Sequence, residues 1–507
     1  MMISLLTSSA GLAQHTVELN IQSEQTGATI NRNIYAQFAE HLGHGIYEGI
    51  WVGEKSSIPN TKGFRNDVIS ALKDLQVPLV RWPGGCFADE YHWRDGIGPQ
   101  EKRPIKVNTH WGGVEETNAF GTHEFFDFIE LIGANAYING NLGTGSPKEM
   151  SQWVEYMTSD KQSTLANLRR KNGREEPWRI EFFGIGNESW GCGGHMRPEY
   201  YSDLYNHYAT FLKTPKEYTP KFVASGSHGA DTLWTEILTK NIKRNISGIS
   251  HHYYTLPTGE WEKKGAAIGF DETQWISTFA QTLKIDDFIK KNKAVLDKLD
   301  AEGKIDFYID EWGTWYDPEP GREPGFLYQQ NTLRDALVAA LNLNIFHQHA
   351  DRVTMTNIAQ MVNVLQAMIL TDKEKMLLTP TYHIFKMYTP FQDATALTHK
   401  FSKKIKYRLG KISVPALSAS AAISKDGKHY LSLVNLDPHK THTVKTKLKS
   451  KMIKVANGFL LSAGAMDSHN TFAKPQTVEP VAFTQAASKG EVLLSLPPKS
   501  VLVVSLE

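Results

Sequence analysis

Eight short apolar segments alternate with helical patterns through most of the chain, and this alternation constrains the fold more than any other feature. The predicted strands are 34–40, 78–82, 135–141, 179–187, 221–227, 248–253, 305–311 and 352–360. Between them, apolar residues recur at helical spacing, as in 64–75, 122–131, 285–299 and 331–346. Alternating strands and helices indicate a parallel α/β sheet, and eight strands are the number that closes a (β/α)8 TIM barrel.

Nearly every predicted strand ends in polar residues. These are Glu40, Arg81, Asn139 with Asn141, Asn187 with Glu188, Ser227 with His228, His252 with Tyr253, Asp310 with Glu311, and Gln360. Barrel enzymes build their active sites at the C-terminal ends of the strands. We therefore expect an active site there.

The pattern changes after about Tyr388, where short alternating segments separated by Gly and Pro predict a jelly-roll-like β-sandwich. The alternating segment 15–21 is expected to add an edge strand to it. The predicted domains are 1–14, a residual signal-like segment; 15–30, a strand joining the sandwich; 31–387, the barrel; and 388–507, the accessory sandwich.

The first fourteen residues are apolar and small, and they resemble the end of a secretory signal with a cleavage site near Ala13. A positively charged start is missing. We expect a periplasmic or secreted protein, with a cytoplasmic location as the alternative.

A formal net charge of +1, with 21% charged residues, argues against nucleic acid or a membrane surface as a partner. No apolar run approaches the ~18 residues of a membrane helix. A neutral substrate such as a sugar fits best.

Two glutamates carry the predicted chemistry. Glu188 lies in Ile-Gly-Asn-Glu-Ser-Trp after the fourth strand, and Glu311 lies in Ile-Asp-Glu-Trp-Gly after the seventh. Retaining glycosidases need two carboxyl groups only ~5–5.5 Å apart, one attacking the anomeric carbon and the other protonating the leaving oxygen. We predict Glu188 as the acid/base and Glu311 as the nucleophile.

Longer motifs narrow the class. They are Phe-Ala-Glu-His-Leu-Gly at 38–43, Arg-Trp-Pro-Gly-Gly at 81–85, Trp-Arg-Asp-Gly-Ile-Gly-Pro at 93–99 and Ala-Gln-Met-Val-Asn-Val at 359–364. With the glutamate pair, the chain resembles glycoside hydrolase family 51 over roughly residues 30 to 390. The family's best-known activity is that of an α-L-arabinofuranosidase. The resemblance implies a retaining, exo-acting enzyme that releases terminal arabinofuranose from plant polysaccharides or oligosaccharides.

The resemblance also implies individual roles and a hexamer or trimer. Glu40, Arg81, Asn187, Tyr253 and Gln360 would line the sugar pocket, and Trp111 and Trp315 would shape its mouth. Tyr253 would hydrogen-bond the nucleophile, and Arg81 would neutralise part of the site's negative charge.

Cys86 departs from the family pattern, because several members have Asn at this position, donating to the sugar. A thiol is a far weaker donor. Cys192 follows Glu188 by four residues, so the two cysteines are either a disulfide or two free thiols.

Other functions are less favoured. The histidines form no His-Glu-x-x-His signature, so we expect no metal, and the chemistry requires no cofactor. An endo-β-1,4-glucanase or β-xylosidase of the same family is the main alternative, although the insertions 112–121 and 255–277 could wall off a pocket suited to exo action. A carbohydrate-binding protein without activity would have lost one glutamate, and both are present.

Overall fold

The computed structural model describes residues 16–229 and 231–507. The signal-like segment 1–14 and His15 lie outside the described residues. Within these ranges, no helix combines the length and the apolar character needed to cross a bilayer.

The strands are β1 (Thr16–Thr29), β2 (Ala36–Phe38), β3 (Asn60–Thr61), β4 (Phe64–Arg65), β5 (Leu79–Trp82), β6 (Lys106–Val107), β7 (Glu115–Glu116), β8 (Asn135–Gly140), β9 (Phe182–Ile185), β10 (Lys221–His228), β11 (Gly248–Thr255), β12 (Asp306–Thr314), β13 (Val353–Ile358), β14 (Ile369–Asp372), β15 (Lys375–Leu378), β16 (Thr395–Phe401), β17 (Lys406–Leu409), β18 (Ile412–Pro415), β19 (Leu417–Ile423), β20 (His429–Asn435), β21 (His442–Leu448), β22 (Val455–Ser462), β23 (Val481–Ala486), β24 (Glu491–Leu496) and β25 (Ser500–Leu506). The helices are α1 (Asn66–Asp74), α2 (Thr122–Ile132), α3 (Pro147–Thr158), α4 (Thr164–Lys171), α5 (Pro198–Phe211), α6 (Thr232–Asn241), α7 (Glu272–Thr282), α8 (Lys284–Leu299), α9 (Leu333–Gln348) and α10 (Pro380–Met387).

Eight parallel strands close the predicted barrel, in the order β2-β5-β8-β9-β10-β11-β12-β13. Each predicted strand overlaps one of them, so the TIM-barrel prediction is confirmed. A cluster of buried side chains from seven of the strands lies inside the barrel: Ala36, Leu79, Tyr137, Phe182, Val223, Tyr308 and Met355. This cluster closes the barrel beneath the site, as in other packed barrels.

The C-terminal strands form a nine-stranded sheet in the order β23-β22-β25-β20-β19-β16-β1-β21-β24. Its inward side chains belong to one cluster that includes Ala456 of β22 and Val492 of β24, which lie near opposite ends of the strand order. The sheet therefore curls around a single core, as a sandwich does.

Strand β1 differs from its predicted position. It pairs with β16 on one side, antiparallel, and with β21 on the other, parallel, so it is an interior strand and not an edge strand. Alternating Val17, Leu19 and Ile21 are buried on the core side. Alternation shows that a strand has one buried face but carries no information on its neighbours.

Candidate active site

The strand ends meet at a cavity of about 390 Å³. Eight of the ten predicted site residues line it: Glu40, Cys86, Trp111, Glu188, Tyr253, Glu311, Trp315 and Gln360. The second predicted insertion contributes Leu256, Gly259 and Trp261 to the wall. The first insertion contributes no lining residue, although Trp111 directly precedes it.

A bulge in β12 directs two consecutive acidic residues into the barrel. Ser250 and His252 of β11 pair with Tyr308 and Glu311, so two steps along β11 match three along β12. The extra residue lets both Asp310 and Glu311 face inward, where regular alternation would allow only one. Glu311 is thereby held between the Arg81 guanidinium, whose Nη1 donates to Oε1 at 2.7 Å, and the Tyr254 hydroxyl, which donates to Oε2 at 2.8 Å.

Glu188 lies on a tight turn after β9. Its φ is +38°, a left-handed conformation that costs free energy for a residue with a side chain. The backbone N–H groups of Gly191 and Gly193 donate to its carbonyl oxygen at 2.7 and 3.1 Å. The turn places the Glu188 side chain at the cavity, where it is more exposed than that of Glu311, 17% against 8%.

His252 bridges the two glutamates, and its importance was missed in the sequence. Its Nδ1 lies 2.6 Å from Glu188 Oε1 and 3.4 Å from Glu311 Oε2, and its Nε2 lies 3.4 Å from Asp310 Oδ1. Burial opposes the cation, but the Glu311, Asp310 and Glu188 carboxylates raise the pKa of His252 to about 10. The three carboxylates therefore favour the imidazolium form of His252.

Asp310 is a third buried carboxylate at this site, and it contacts both Arg81 and His252. Burial acts against its ionisation, but the Arg81 and His252 cations hold the pKa of Asp310 well below its usual range. It also accepts hydrogen bonds from the Ser250 and Tyr137 hydroxyls, the latter at 2.8 Å. Asp310 thus remains charged and fixes both cations beneath the glutamates.

The prediction that Tyr253 hydrogen-bonds the nucleophile is wrong. The Tyr253 hydroxyl donates instead to the backbone oxygen of Gln281, at 2.6 Å, and it is Tyr254 that reaches Glu311. Side chains at alternate positions of a strand share a face, so Ser250, His252 and Tyr254 point inward together. Tyr254 follows His252 by two positions, so the alternation of side chains along the strand would have identified it as the inward-facing tyrosine.

Arg81 and Asn187 do not line the cavity, contrary to expectation. The Arg81 guanidinium lies behind Glu311, 1% exposed, with its carbon 4.7 Å from the Phe38 ring centroid. Its Nη2 donates to Asn187 Oδ1 at 2.6 Å. Arg81 therefore supports Glu311 from behind, and Asn187 holds Arg81.

Glu40 is tied to the cavity wall by four donors. Its Oε1 accepts from the backbone N–H of Gly85 and Phe87 and from Trp111 Nε1, at 3.0 to 3.1 Å, and its Oε2 accepts from Gln360 Nε2 at 3.0 Å. Burial and the nearby Glu311 charge raise the pKa of Glu40 to about 7, against the effect of these donors. Gln360 Oε1 has no hydrogen-bond partner within the described ranges, which leaves an acceptor for a ligand hydroxyl.

The glycines of the Arg-Trp-Pro-Gly-Gly motif allow the backbone to approach both carboxylates. A Cβ atom on Gly85 would lie 2.5 Å from Glu311 Oε1, and one on Gly84 would lie 2.7 Å from Glu40 Cγ. Neither distance is compatible with a side chain. The motif therefore has a steric role at this site.

Cys86 and Cys192 form a disulfide, with a Cα–Cα distance of 5.6 Å. The bond joins the loop after β5 to the turn that carries Glu188, and it forms part of the cavity wall. Cys86 consequently has no thiol to offer a sugar. The Sγ of Cys192 lies 3.4 Å from Glu188 Oε2, so the cystine packs directly against the predicted acid/base.

Asp89 is a second support that the sequence did not single out. Its buried carboxylate accepts from three backbone N–H groups, those of Leu142 at 2.8 Å, Gly143 at 2.9 Å and Asn187 at 3.0 Å. Burial raises the pKa of Asp89 to about 7, although the three donors oppose this. Asp89 thus joins three loops immediately behind Glu188.

The only group in the described ranges that combines suitable metal-ligand atoms without cysteine is Glu188, His252 and Glu311, whose nearest such atoms lie within 4.8 Å of one another. His252 already contacts both glutamates, and Glu311 also accepts from Arg81 and Tyr254. This arrangement suits acid/base and nucleophilic chemistry.

Comparison with known proteins gives consistent matches. The family model "Alpha-L-arabinofuranosidase 1 domain" matches residues 71–271, and "Alpha-L-arabinofuranosidase C-terminal domain" matches residues 310–500. A Bacteroides ovatus protein named "Intracellular exo-alpha-L-arabinofuranosidase" is 48% identical, covering 98% of this chain and 96% of that protein. The crystal structure of the GH51 arabinofuranosidase from Xanthomonas axonopodis pv. citri is 52% identical with a TM-score of 0.95, covering 97% of this chain and all of that one. An arabinose complex of the α-L-arabinofuranosidase from Thermotoga maritima is 30% identical with a TM-score of 0.86, at the same coverage.

The barrel with two adjoining glutamates at its strand ends, together with these relatives, defines a (β/α)8 glycoside hydrolase with a C-terminal β-sandwich. The predicted fold class is thereby confirmed. The chain belongs to glycoside hydrolase family 51, the α-L-arabinofuranosidases.

The expected periplasmic or secreted location is wrong, because the Bacteroides ovatus relative, matched over nearly its whole length, is named intracellular. The expectation rested on the apolar segment 1–14 alone, whereas the match to this relative covers 98% of the chain.

Proposed function

We propose that the protein is a retaining, exo-acting α-L-arabinofuranosidase that releases terminal arabinofuranose from arabinose-containing saccharides. The observation that carries the mechanism is the separation of the two glutamates. A carboxylate oxygen of Glu188 lies within 4.8 Å of one of Glu311. Retaining enzymes have carboxyl groups ~5–5.5 Å apart, whereas inverting enzymes need ~6.5–9.5 Å to admit a water molecule.

The surroundings of each glutamate support different roles. Glu311 is oriented by Arg81 and Tyr254 and has its charge balanced by cations, as suits a nucleophile that must present one oxygen to the anomeric carbon. Glu188 is more exposed, 17% against 8%, so it can reach first the leaving group and then water and exchange a proton with each.

The reaction then runs in two displacements. A Glu311 oxygen bonds to the anomeric carbon while Glu188 gives its proton to the departing oxygen, which leaves with the bond's electron pair. Glu188, now a carboxylate, takes a proton from water, whose oxygen attacks the same carbon and displaces Glu311. Each step inverts the carbon, so the product retains the α configuration.

The cavity supports exo action. Its volume of about 390 Å³ lies near the lower limit for small-molecule sites, and aromatic residues with the Glu40 and Gln360 polar groups line it. Glu40 and Gln360 are suited to sugar hydroxyls, and Trp111 and Trp315 to the mouth. An endo-acting enzyme would need an open cleft.

We further propose that residues 31–387 form the catalytic domain, and 388–507, with the strand in 15–30, the accessory domain. The intracellular relative supports a location inside the cell. The family resemblance supports a hexamer or trimer as the proposed assembly, and light scattering would test it.

The function is tested with 4-nitrophenyl α-L-arabinofuranoside and two variants. Wild type should release nitrophenol, and Glu188→Ala and Glu311→Ala should both lose turnover. Azide should restore activity to Glu188→Ala alone, because a small nucleophile can replace water where the base is missing. Wild-type inactivity with cleavage of a soluble glucan would overturn the substrate, and full activity of either variant would overturn that residue's role.

A further inference from the structure

The formal charge of the chain is divided unevenly between its two parts. Of the 55 Lys and Arg residues, 17 lie in 388–507, against 7 of the 54 Asp and Glu residues. Residues 388–507 therefore carry a formal charge of +10 and the rest of the chain −9, although the whole chain carries only +1. A charge asymmetry of this kind indicates that the basic part meets an anionic partner.

A groove opens in the C-terminal sheet where β16 and β19 separate. Their pairing ends at residues 395–396 and 422–423, although each strand extends five residues further. The His399 ring spans part of the gap, with its Nε2 3.0 Å from Ala419 O. The groove has a volume of about 1030 Å³ and is also lined by the second half of α9. No described residue lines both this groove and the active-site cavity, so the two are separate.

Four lysines line the groove and are exposed: Lys400, Lys403, Lys404 and Lys406. Among the described residues, none of the four forms an ion pair or donates a side-chain hydrogen bond. Four cations that share one groove repel one another and create a positive potential along it. An anionic ligand would relieve this repulsion.

The acidic side chains of the groove do not neutralise these lysines. Asp286 and Asp351 also line it, but they pair with Lys290 and Lys293 of α8. Their charge is therefore already balanced from the barrel side. The four lysines remain the uncompensated charge of the groove.

The other lining groups favour a sugar chain over a nucleic acid. Single-stranded nucleic acids are held by aromatic rings that stack on their bases. Within 16–229 and 231–507, Phe401 is the only Phe, Tyr or Trp that lines the groove. Thr398 and Ser413 add exposed hydroxyl groups. Lysines together with hydroxyl groups suit a chain that offers both carboxylates and sugar hydroxyls.

We propose that this groove binds a chain of uronic acid residues, the anionic part of a polysaccharide whose arabinofuranose branches the active site removes. The role of the branches rests on the proposed arabinofuranosidase function, whereas the binding of a polyanion rests on the groove alone. Because the groove is separate from the cavity, a chain held there would keep its other branches at a high local concentration near the active site.

The test measures the binding of a galacturonate decamer by isothermal titration calorimetry. The groove variant is Lys403→Glu with Lys404→Glu. Its matched control is Lys474→Glu with Lys489→Glu, which makes the same charge change at exposed positions of 388–507 outside the groove. The Kd of wild type should rise with salt. It should be at least about tenfold higher in the groove variant and less than about threefold higher in the control, because a nearby charge acts more strongly than a distant, screened one.

Activity on 4-nitrophenyl α-L-arabinofuranoside should be unchanged in both double variants, because neither alters the cavity. On a polyuronate that bears arabinofuranose branches, KM should rise in the groove variant while kcat stays the same. This split would show that the groove acts through binding and not through the reacting groups.

Equal weakening in both double variants would overturn the groove and assign binding to net charge alone. No binding by wild type would overturn the proposal outright. Equal affinity for an uncharged xylose decamer would overturn the role of the lysines, and tighter binding of a single-stranded DNA decamer would overturn the uronic acid chain in favour of nucleic acid. If wild type bound the galacturonate decamer through the groove but released no nitrophenol, the proposed function would have failed while the groove remained.

Discussion

The adjacent residues Tyr253 and Tyr254 provide a sharp test of the active-site geometry, because only one of their hydroxyls contacts Glu311. Removing the Tyr254 hydroxyl deletes the 2.8 Å hydrogen bond to Oε2, whereas removing that of Tyr253 deletes a bond to a backbone carbonyl. A hydrogen bond to a charged group contributes roughly 1.5–3 kcal/mol, and a neutral one about 1 kcal/mol.

If the Tyr254 bond orients the attacking carboxylate in the transition state, its full value appears in catalysis. At about 1.4 kcal/mol per factor of ten, Tyr254→Phe should lower kcat/KM for 4-nitrophenyl α-L-arabinofuranoside roughly 10- to 150-fold. Tyr253→Phe should lose mainly stability, seen as a lower urea midpoint, and should remain at least about tenfold more active than Tyr254→Phe. Equal activity of the two variants, or a greater loss in Tyr253→Phe, would refute the strand register on which the site is built.

Three further predictions concern groups behind the cavity. In Asp89→Asn, the amide NH2 would oppose one of three backbone donors and displace the Glu188 turn, so kcat/KM should fall more for poor leaving groups than for dinitrophenol. A uniform loss across leaving groups would contradict this positioning role. The pKa of Glu40 is about 7 in the folded protein against 4.5 in the unfolded chain. The stability that Glu40 adds to the folded state is therefore fully present below about pH 4.5 and is lost as the pH rises through 7. Lowering the pH from 8 to 5 should therefore raise the unfolding free energy of wild type relative to Glu40→Gln, by up to about 3 kcal/mol, and the opposite sign in urea titrations would refute it. The double variant Cys86→Ser with Cys192→Ser frees a loop across 106 positions and should lose about 3–5 kcal/mol of stability, whereas an unchanged urea midpoint would contradict the predicted disulfide contribution.

The barrel could be predicted because each of its strands is a short apolar run that ends in polar residues. In segment 305–311, for example, apolar residues are followed by the polar pair Asp310 and Glu311. Only a small number of folds can accommodate eight such segments separated by helices. The exact ends of the strands were harder to predict from the sequence. Strand β2, predicted as 34–40, is only Ala36–Phe38, because the residues before it form a short 3-10 helix and those after it turn into the cavity.

The glutamate pair was also predictable, since each residue directly follows a strand. The predictions that were wrong concern Tyr253, Arg81 and Asn187. They depend on how neighbouring strands are aligned and on how deep in the barrel each side chain lies. Tyr253 and Tyr254 are chemically alike, and only the inward direction of His252 decides between them. The bulge that brings Asp310 and Glu311 to the same face leaves no mark in the composition of β12.

Partners that are distant in sequence were the hardest to foresee. Asp89 acts through backbone groups of two other loops, and Arg81 acts through Glu311, from positions that sequence spacing cannot relate. The position of β1 inside the C-terminal sheet has the same cause. Its alternation specifies one buried face, whereas its neighbours β16 and β21 are chosen by the packing of the whole sheet.

The central claim is that Glu311 forms a covalent bond to the sugar while Glu188 manages the proton. It is tested most directly by mass spectrometry of Glu188→Ala mixed with dinitrophenyl α-L-arabinofuranoside and stopped in acid. The good leaving group needs no protonation, and the missing base slows the second displacement, so the intermediate should accumulate. We predict one anhydropentose attached to the peptide that contains Glu311. Rapid turnover with no labelled peptide, or a label on another carboxylate, would contradict the account.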